Sequence, residues 1–217
     1  MKAYKEIVKV GVAVTGQEID LIKYVIDSEK EGKTIYIQGG IHGGEITLPI
    51  IKKLFDYLKT NINVGKVIFI PFANPLAWQQ QAYCYTFGKF NLANGKDFNR
   101  YFGLKDESDI NCKIANALLN EAKKADFAID LHTAMESEPY VIFSTLNYAS
   151  YVNVLNLNYN YLCEPTDSYL NTFDVQLYKN NVPNFVIECG SHDSYYEKNI
   201  TKVYNGIKNL LAYFNVI

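Results

Sequence analysis

The stretch KTIYIQGGIHGGE, residues 33–45, decides the fold class. Lys33 to Gln38 is a β-branched and aromatic run, the composition that suits a pleated, buried strand. Gly39 and Gly40 end it in a tight loop, because glycine turns without steric cost. A helix is expected next, from about Glu45 to Thr60. Its Ile51, Leu54, Phe55 and Leu58 stand at i, i+3, i+4 and i+7 and make one apolar face.

Working outward, residues 5–14 and 19–27 alternate loosely and read as an antiparallel pair with a turn near Gly16. Residues 66–72 (KVIFIPF) read as a second buried strand. Residues 74–107 are rich in Asn, Gly and Tyr and show no period, the composition of a long functional loop. A helix from about Asp109 to Lys124 carries Ile110, Ile114 and Leu118 on one side. Strands follow at 126–131, 140–145 and 184–189, the last closed by Gly190; residues 147–180 support no detailed assignment. A final helix keeps Ile200, Val203, Tyr204, Ile207, Leu210, Leu211 and Phe214 on one face, with Asn199 as its expected N-cap. Strands and helices alternate through the body of the chain. The expected fold is therefore a single-domain, three-layer α/β/α arrangement over residues 1–217, with a mixed, largely parallel sheet. In such sheets ligands gather at the carboxyl ends of the strands.

Composition narrows the function classes. The 217 residues are 48% hydrophobic and 20% charged, with a formal net charge of −2. No basic stripe argues for nucleic acid and no basic amphipathic helix for a membrane surface. Lys5, Glu6 and Lys9 interrupt the N-terminal stretch before a signal-peptide core forms, and Val67–Ala73 is too short to span a bilayer. A cytoplasmic protein is expected, and a homo-oligomer is compatible with the sequence. Cys84, Cys112, Cys163 and Cys189 lack metal or redox spacing and read as reduced thiols. Arg100 is the sole arginine among 21 basic residues.

Four clusters carry chemistry, and each has a plain structural alternative. In GGIHGGE (39–45), His42 and Glu45 lie three apart at a strand-to-helix turn, and imidazole nitrogen and carboxylate oxygen both suit Zn²⁺. The alternative is a glycine-rich turn with a surface His. An esterase oxyanion loop is excluded, since no G-x-S-x-G elbow exists. In AIDLHTA (128–134), Asp130 and His132 alternate onto one side of a strand end, so Asp130 can accept from the imidazole; the alternative is a satisfied strand-end His. In VIECG (186–190), Glu188 sits in an apolar strand, where burial raises a carboxyl pKa toward that of a neutral-pH base; the alternative is a lysine-paired Glu at the sheet edge. In DFNRYF (97–102), Asn99 and Arg100 offer an amide and a bidentate guanidinium suited to a carboxylate; the alternative is a structural arginine.

The order of these pieces is more specific than any one of them. GGIHGGE, ANP at 73–75, DFNR at 97–100, DLH at 130–132 and VIECG at 186–190 resemble the zinc carboxypeptidase superfamily, and more closely its succinylglutamate desuccinylase/aspartoacylase branch. The resemblance spans about residues 33–190. It implies that His42, Glu45 and His132 bind one zinc ion, that Asn99 and Arg100 hold a substrate carboxylate, and that Glu188 is the catalytic base. Members of that branch usually carry a second arginine after the ANP block that polarises the scissile carbonyl. That place falls near Tyr83, and Tyr83, Lys89 and Lys96 are the available substitutes. Many members also carry a C-terminal β-rich domain that this sequence does not contain. The implied activity is hydrolysis of an amide of a small, carboxylate-bearing molecule such as an N-acyl amino acid. Two alternatives are a carboxypeptidase acting on peptides or cell-wall stems and a non-catalytic zinc-containing binding domain. His192 has no assigned role.

Overall fold

In the computed structural model, which describes all residues except 83–84, 87, 158, 164 and 193–194, the chain begins with two long strands, β1 (Lys2–Val12) and β2 (Glu18–Asp27). They pair antiparallel around Gly16, as the alternation predicts. Strand β3 (Thr34–Gly39), helix α1 (Leu48–Asn61) and strand β4 (Lys66–Ile70) follow. Next come the short helix α2 (Pro75–Gln79) and the two-residue strands β5 (Gln81–Ala82) and β6 (Tyr85–Thr86). A 3₁₀ turn, Phe98–Arg100, precedes helix α3 (Ile110–Ala122) and strands β7 (Phe127–Ala134) and β8 (Tyr140–Phe143). Helix α4 (Ala149–Leu155), strand β9 (Tyr159–Leu162), helix α5 (Phe173–Lys179), strand β10 (Asn184–Ser191) and helix α6 (Glu197–Tyr213) complete the chain.

Among the described residues, eight strands form one sheet in the order β1-β2-β4-β3-β7-β10-β8-β9. Its centre, β4-β3-β7-β10, is parallel, while β1, β2 and β8 pair antiparallel with neighbours. The centre reads as predominantly hydrophobic runs because helices cover both faces. On one face α1, α4 and α6 pack Leu54, Leu58, Val152, Val203 and Ile207 against Ile35, Ile37 and Ile187. On the other, α3 and α5 bring Ile114, Leu118, Phe173 and Leu177 against Tyr36 and Ile68. Fully burying one such aliphatic side chain contributes about 1.5–3 kcal/mol, so these two cores hold the layers together. No helix among the described residues is long and apolar enough to cross a membrane.

The chain leaves β3 for β4 on one side and later returns to β7 on the other. Connections therefore diverge above the carboxyl ends of β3 and β7 and open a crevice there. This topology places the site.

Several boundaries differ from the sequence expectation, each for a local reason. Helix α1 starts at Leu48 rather than Glu45, with Pro49 in its first turn, where a missing N–H costs nothing. The shift leaves residues 40–47 as a loop that turns Glu45 inward. Helix α6 starts at Glu197 with Tyr196 at its N-cap, so Asn199 is not the cap. Asn199 lies buried in the first turn and donates from Nδ2 to the Ser137 carbonyl at 2.7 Å. Strand β7 runs on to Ala134, which carries His132 within the sheet. The segment 74–107 is shorter in true loop than expected: Asn74 caps α2, accepting from the Leu76 and Ala77 amides.

Candidate active site

The loop after β3 is shaped by close backbone approach. Gly40 has φ +77, and a side chain there would meet the Trp78 indole. A Cβ on Gly43 would sit against the Ala77 carbonyl. The compact loop points His42 and Glu45 back over the sheet, and both are buried. His132, two residues from the end of β7, is buried beside them.

Glu45 lies between the two imidazoles. Its Oε1 is 2.9 Å from His42 Nδ1 and its Oε2 is 3.0 Å from His132 Nδ1. The far nitrogen of each ring meets its own carboxylate: His42 Nε2 lies 2.8 Å from Asp97 Oδ1, and His132 Nε2 lies 2.9 Å from Asp130 Oδ2. Both rings thus turn Nδ1 inward, the pattern by which a carboxylate fixes the tautomer of a metal-bound histidine. One ligand atom from each of His42, Glu45 and His132 lies within 4.8 Å of the others, a group that could hold a metal ion. Glu45 Oε2 is buried and accepts no hydrogen bond despite its proximity to His132. Such an orphaned oxygen between two imidazoles fits a cation, and the donor set suits zinc, with room for a further ligand. The electrostatics agree. Burial opposes charge on Glu45, but the two imidazoles hold its carboxyl well below the usual range. Burial likewise disfavours charge on both histidines, yet their carboxylate partners raise them.

The brace behind His132 extends through the sheet. Tyr36 and Gln38 alternate onto one side of β3, and Tyr36 Oη donates to Gln38 Oε1 at 2.6 Å. Gln38 Nε2 then donates to Asp130 Oδ1 at 3.1 Å. The brace behind His42 belongs to the segment before the 3₁₀ turn. Asp97 caps that turn by accepting from the Asn99 amide at 2.7 Å, and its other oxygen faces Arg100 and Lys89 at 3.9 and 4.0 Å. Sequence reading missed Asp97, Gln38 and Tyr36 as site supports. For Gln38 a signal existed, a lone amide within an apolar strand.

These side chains open into a cavity of about 540 Å³ whose lining includes His42, His132, Asn99, Arg100, Lys89 and Glu188. Glu188 stands beside His132 in the β7–β10 register. Its Oε2 is buried and has no hydrogen-bond partner among the described residues. Burial pushes its carboxyl up to about 7, with His132 pulling down and Glu45 pushing up. Asn99 Oδ1 is committed to the Phe173 amide at 3.0 Å, which leaves the Nδ2 donor for the cavity. Among the described residues Arg100 donates one hydrogen bond, to the Asn99 carbonyl, and it rests over the Tyr169 ring, 5.1 Å from guanidinium carbon to centroid. Its side chain is 31% exposed and lines the cavity, with Nη1 also 3.9 Å from Asp97 Oδ2. Of the three proposed substitutes for a second arginine, Lys89 lines the cavity, Lys96 lies over the Tyr101 ring, and Tyr83 falls outside the described residues. His192 is absent from the cavity lining; its Nδ1 lies 3.3 Å from the Thr133 carbonyl.

Residues 31–214 match the family model described as "Succinylglutamate desuccinylase/Aspartoacylase catalytic domain". No curated protein matches the sequence. Among solved structures, one described as a succinylglutamate desuccinylase/aspartoacylase from Shewanella frigidimarina superposes with a TM-score of 0.85 at 20% identity, covering 100% of this chain and 73% of that one. A family protein from Shewanella amazonensis gives 0.85 at 21%, covering 99% and 73%. A metallo-carboxypeptidase from Burkholderia cenocepacia gives 0.73 at 12%, covering 97% and 64%. At these identities the structures are alike in fold.

Proposed function

Because the chain belongs to the succinylglutamate desuccinylase/aspartoacylase catalytic-domain family, we propose that it is a zinc-dependent hydrolase cleaving an amide bond of a small carboxylate-bearing substrate, of the N-acyl amino acid kind. One observation carries this reading. Two of three clustered, buried metal-type donors, His42 and His132, and an unpaired carboxylate poised near neutrality line a single cavity that also holds the chain's sole arginine.

Zinc held by His42, Glu45 and His132 would supply Lewis acidity and lower the pKa of bound water to about 7. Asp97 and Asp130 keep each imidazole oriented with Nδ1 inward. Glu188 accepts a proton from the attacking water at its carboxylate and delivers it to the leaving amine nitrogen, a role that needs a carboxyl titrating near the working pH. Arg100 and the Asn99 Nδ2 donor hold the substrate carboxylate through charge-assisted hydrogen bonds. Lys89, at the same wall, adds positive charge for the carboxylate or the carbonyl oxygen. The arrangement works as a unit because the metal ligands and the base, from the ends of β3, β7 and β10, and the carboxylate clamp, from the 3₁₀ turn, gather around one crevice.

The test is zinc content and turnover together. Purified protein should hold one zinc per chain, and His42→Ala or His132→Ala should lose it. A panel of N-acyl amino acids and short peptides should reveal amide hydrolysis. Glu188→Gln should retain zinc and lose turnover by at least ~10²-fold. Stoichiometric zinc in either histidine variant would refute the metal assignment. Full zinc occupancy with no turnover on any panel member would refute the hydrolase and leave a binding domain.

A further inference from the structure

The cavity wall changes character away from the polar cluster. Ile142, Leu162, Val175 and Val186 line it, together with the Tyr161 and Tyr169 rings. Val186 and Glu188 alternate onto one side of β10, and their partners Ile142 and Tyr140 do the same on β8. The apolar wall is therefore continuous with the side of the sheet that carries Glu188.

Four carboxylates share the lining, Asp97, Glu136, Asp174 and Glu188. Asp174, the second residue of α5, lines the same cavity. It follows Phe173, whose amide is tied to Asn99, so it stands beside the Asn-Arg turn. Its own carbonyl accepts from Asn184 Nδ2 at 3.2 Å, which anchors the helix start. Among the described residues no lysine or arginine pairs with it. Its carboxyl is raised by burial first and by the like charge of Asp130, while hydrogen bonds from Thr172 and the Val175 amide and the charge of His132 oppose the rise. Burial outweighs these partners, so a cation brought into the cavity would further favour its ionised form.

We propose that Asp174 is a specificity-determining residue that selects Nα-acylated amino acids whose side chain ends in an ammonium group, of the ornithine and lysine type. The methylene stem lies along Ile142, Val175 and Val186, and the ammonium meets the Asp174 carboxylate. The α-carboxylate then takes the Arg100 clamp, and the acyl amide faces Glu188. An acidic side chain would instead put like charge beside Asp174, and an apolar one would bring that carboxylate no added cation; both are selected against. The placement of the amide rests on the hydrolase reading above; the ammonium preference does not.

The experiment measures binding without turnover, in the zinc-supplemented Glu188→Gln protein. Calorimetric titrations with Nα-acetyl-lysine, Nα-acetyl-ornithine and Nα-acetyl-norleucine compare stems with and without the charge. The better ammonium ligand should bind at least ~10-fold tighter than the norleucine compound, the scale of one charge-assisted hydrogen bond. Adding Asp174→Asn or Asp174→Ser, each checked for a cooperative thermal transition, should bring that ratio close to one. Asp174→Glu, which keeps the anion, should retain a preference for one of the two ammonium ligands. Equal or tighter norleucine binding in the parent, no binding of any of the three, or a preference that survives in the Asn and Ser variants would overturn the proposal. If neither variant folds, the parent's ratio alone decides. An ammonium preference in a protein that hydrolyses nothing would refute the hydrolase and keep this inference. Hydrolysis without the preference would do the reverse.

Discussion

Replacing Glu188 with glutamine should stabilise the metal-free protein at pH 8 and leave it nearly unchanged near pH 4. The carboxyl titrates at about 7 in the native cavity against an ordinary 4.5, with burial as the leading cause. Between those values the native state keeps a proton that the unfolded chain has released. Stability therefore falls as pH rises through that window, and the loss is complete above about pH 7. At ~1.4 kcal/mol per pKa unit, the gap corresponds to ~3 kcal/mol. For a chain of this size, 1 kcal/mol moves Tm by roughly 2–4 °C. The glutamine variant should then melt roughly 6–12 °C above the parent at pH 8. The difference should shrink steadily to near zero by about pH 4.5. Paired thermal melts in chelator across that range provide the assay, and the remaining titrating groups largely cancel in the comparison. Zinc should reduce the difference at pH 8, because a nearby dication favours the ionised carboxylate. A difference that does not vary with pH would refute the reasoning and mean that Glu188 is ionised in the native state without penalty.

Three further outcomes follow from the site. Arg100→Lys should lower kcat/KM for carboxylate substrates by roughly ten- to a hundredfold, since an ammonium cannot reproduce the fork; their methyl esters, assayed in parallel, should change far less, and an equal effect on both would place Arg100 at the scissile carbonyl. Asp97→Asn should weaken zinc affinity by about 10–100-fold in competition with a chromophoric chelator, because His42 loses the partner that orients it; unchanged affinity would confine Asp97 to capping its turn. Gln38→Leu should cost about 1–3 kcal/mol in denaturant unfolding, as Tyr36 Oη and Asp130 each lose a buried partner; a neutral result would mean that water replaces the amide.

Much of the fold is legible in the sequence because the central strands are buried on both faces. Residues 35–37, 67–70 and 185–187 are unbroken apolar runs, and two of the chemistry-bearing residues stand out against such strands, Glu188 just after the last run and His132 at the end of the mostly apolar 127–131. The ends of elements are less legible. Glu45 reads as a helix start by periodicity, but Pro49 fixes where α1 begins and frees Glu45 for the site. Asn199 has the composition of a cap, yet Tyr196 occupies that position and Asn199 is drawn inward to Ser137. The partners of the site residues are least legible, since the pairing of His42 with Asp97 joins residues 55 apart through tertiary packing alone. Asp174 lies in the segment 147–180, where short helices and a short strand leave no period to read.

The two imidazoles of the site are held by parts of the molecule with different routes to opening. His132 and Asp130 lie on β7, which is hydrogen-bonded on one side to β3 and on the other to β10. Asp97 lies in an irregular connection that ends in a single 3₁₀ turn. Backbone amides near Asp130 exchange with solvent only when the middle of the sheet opens, whereas those near Asp97 need just a local opening. An ion in this cradle would therefore escape by way of the His42 arm, at a rate set by that connection rather than by global unfolding. Its residence time and the stability of the fold can thus vary independently, and substitutions around Asp97 can tune the one without touching the other.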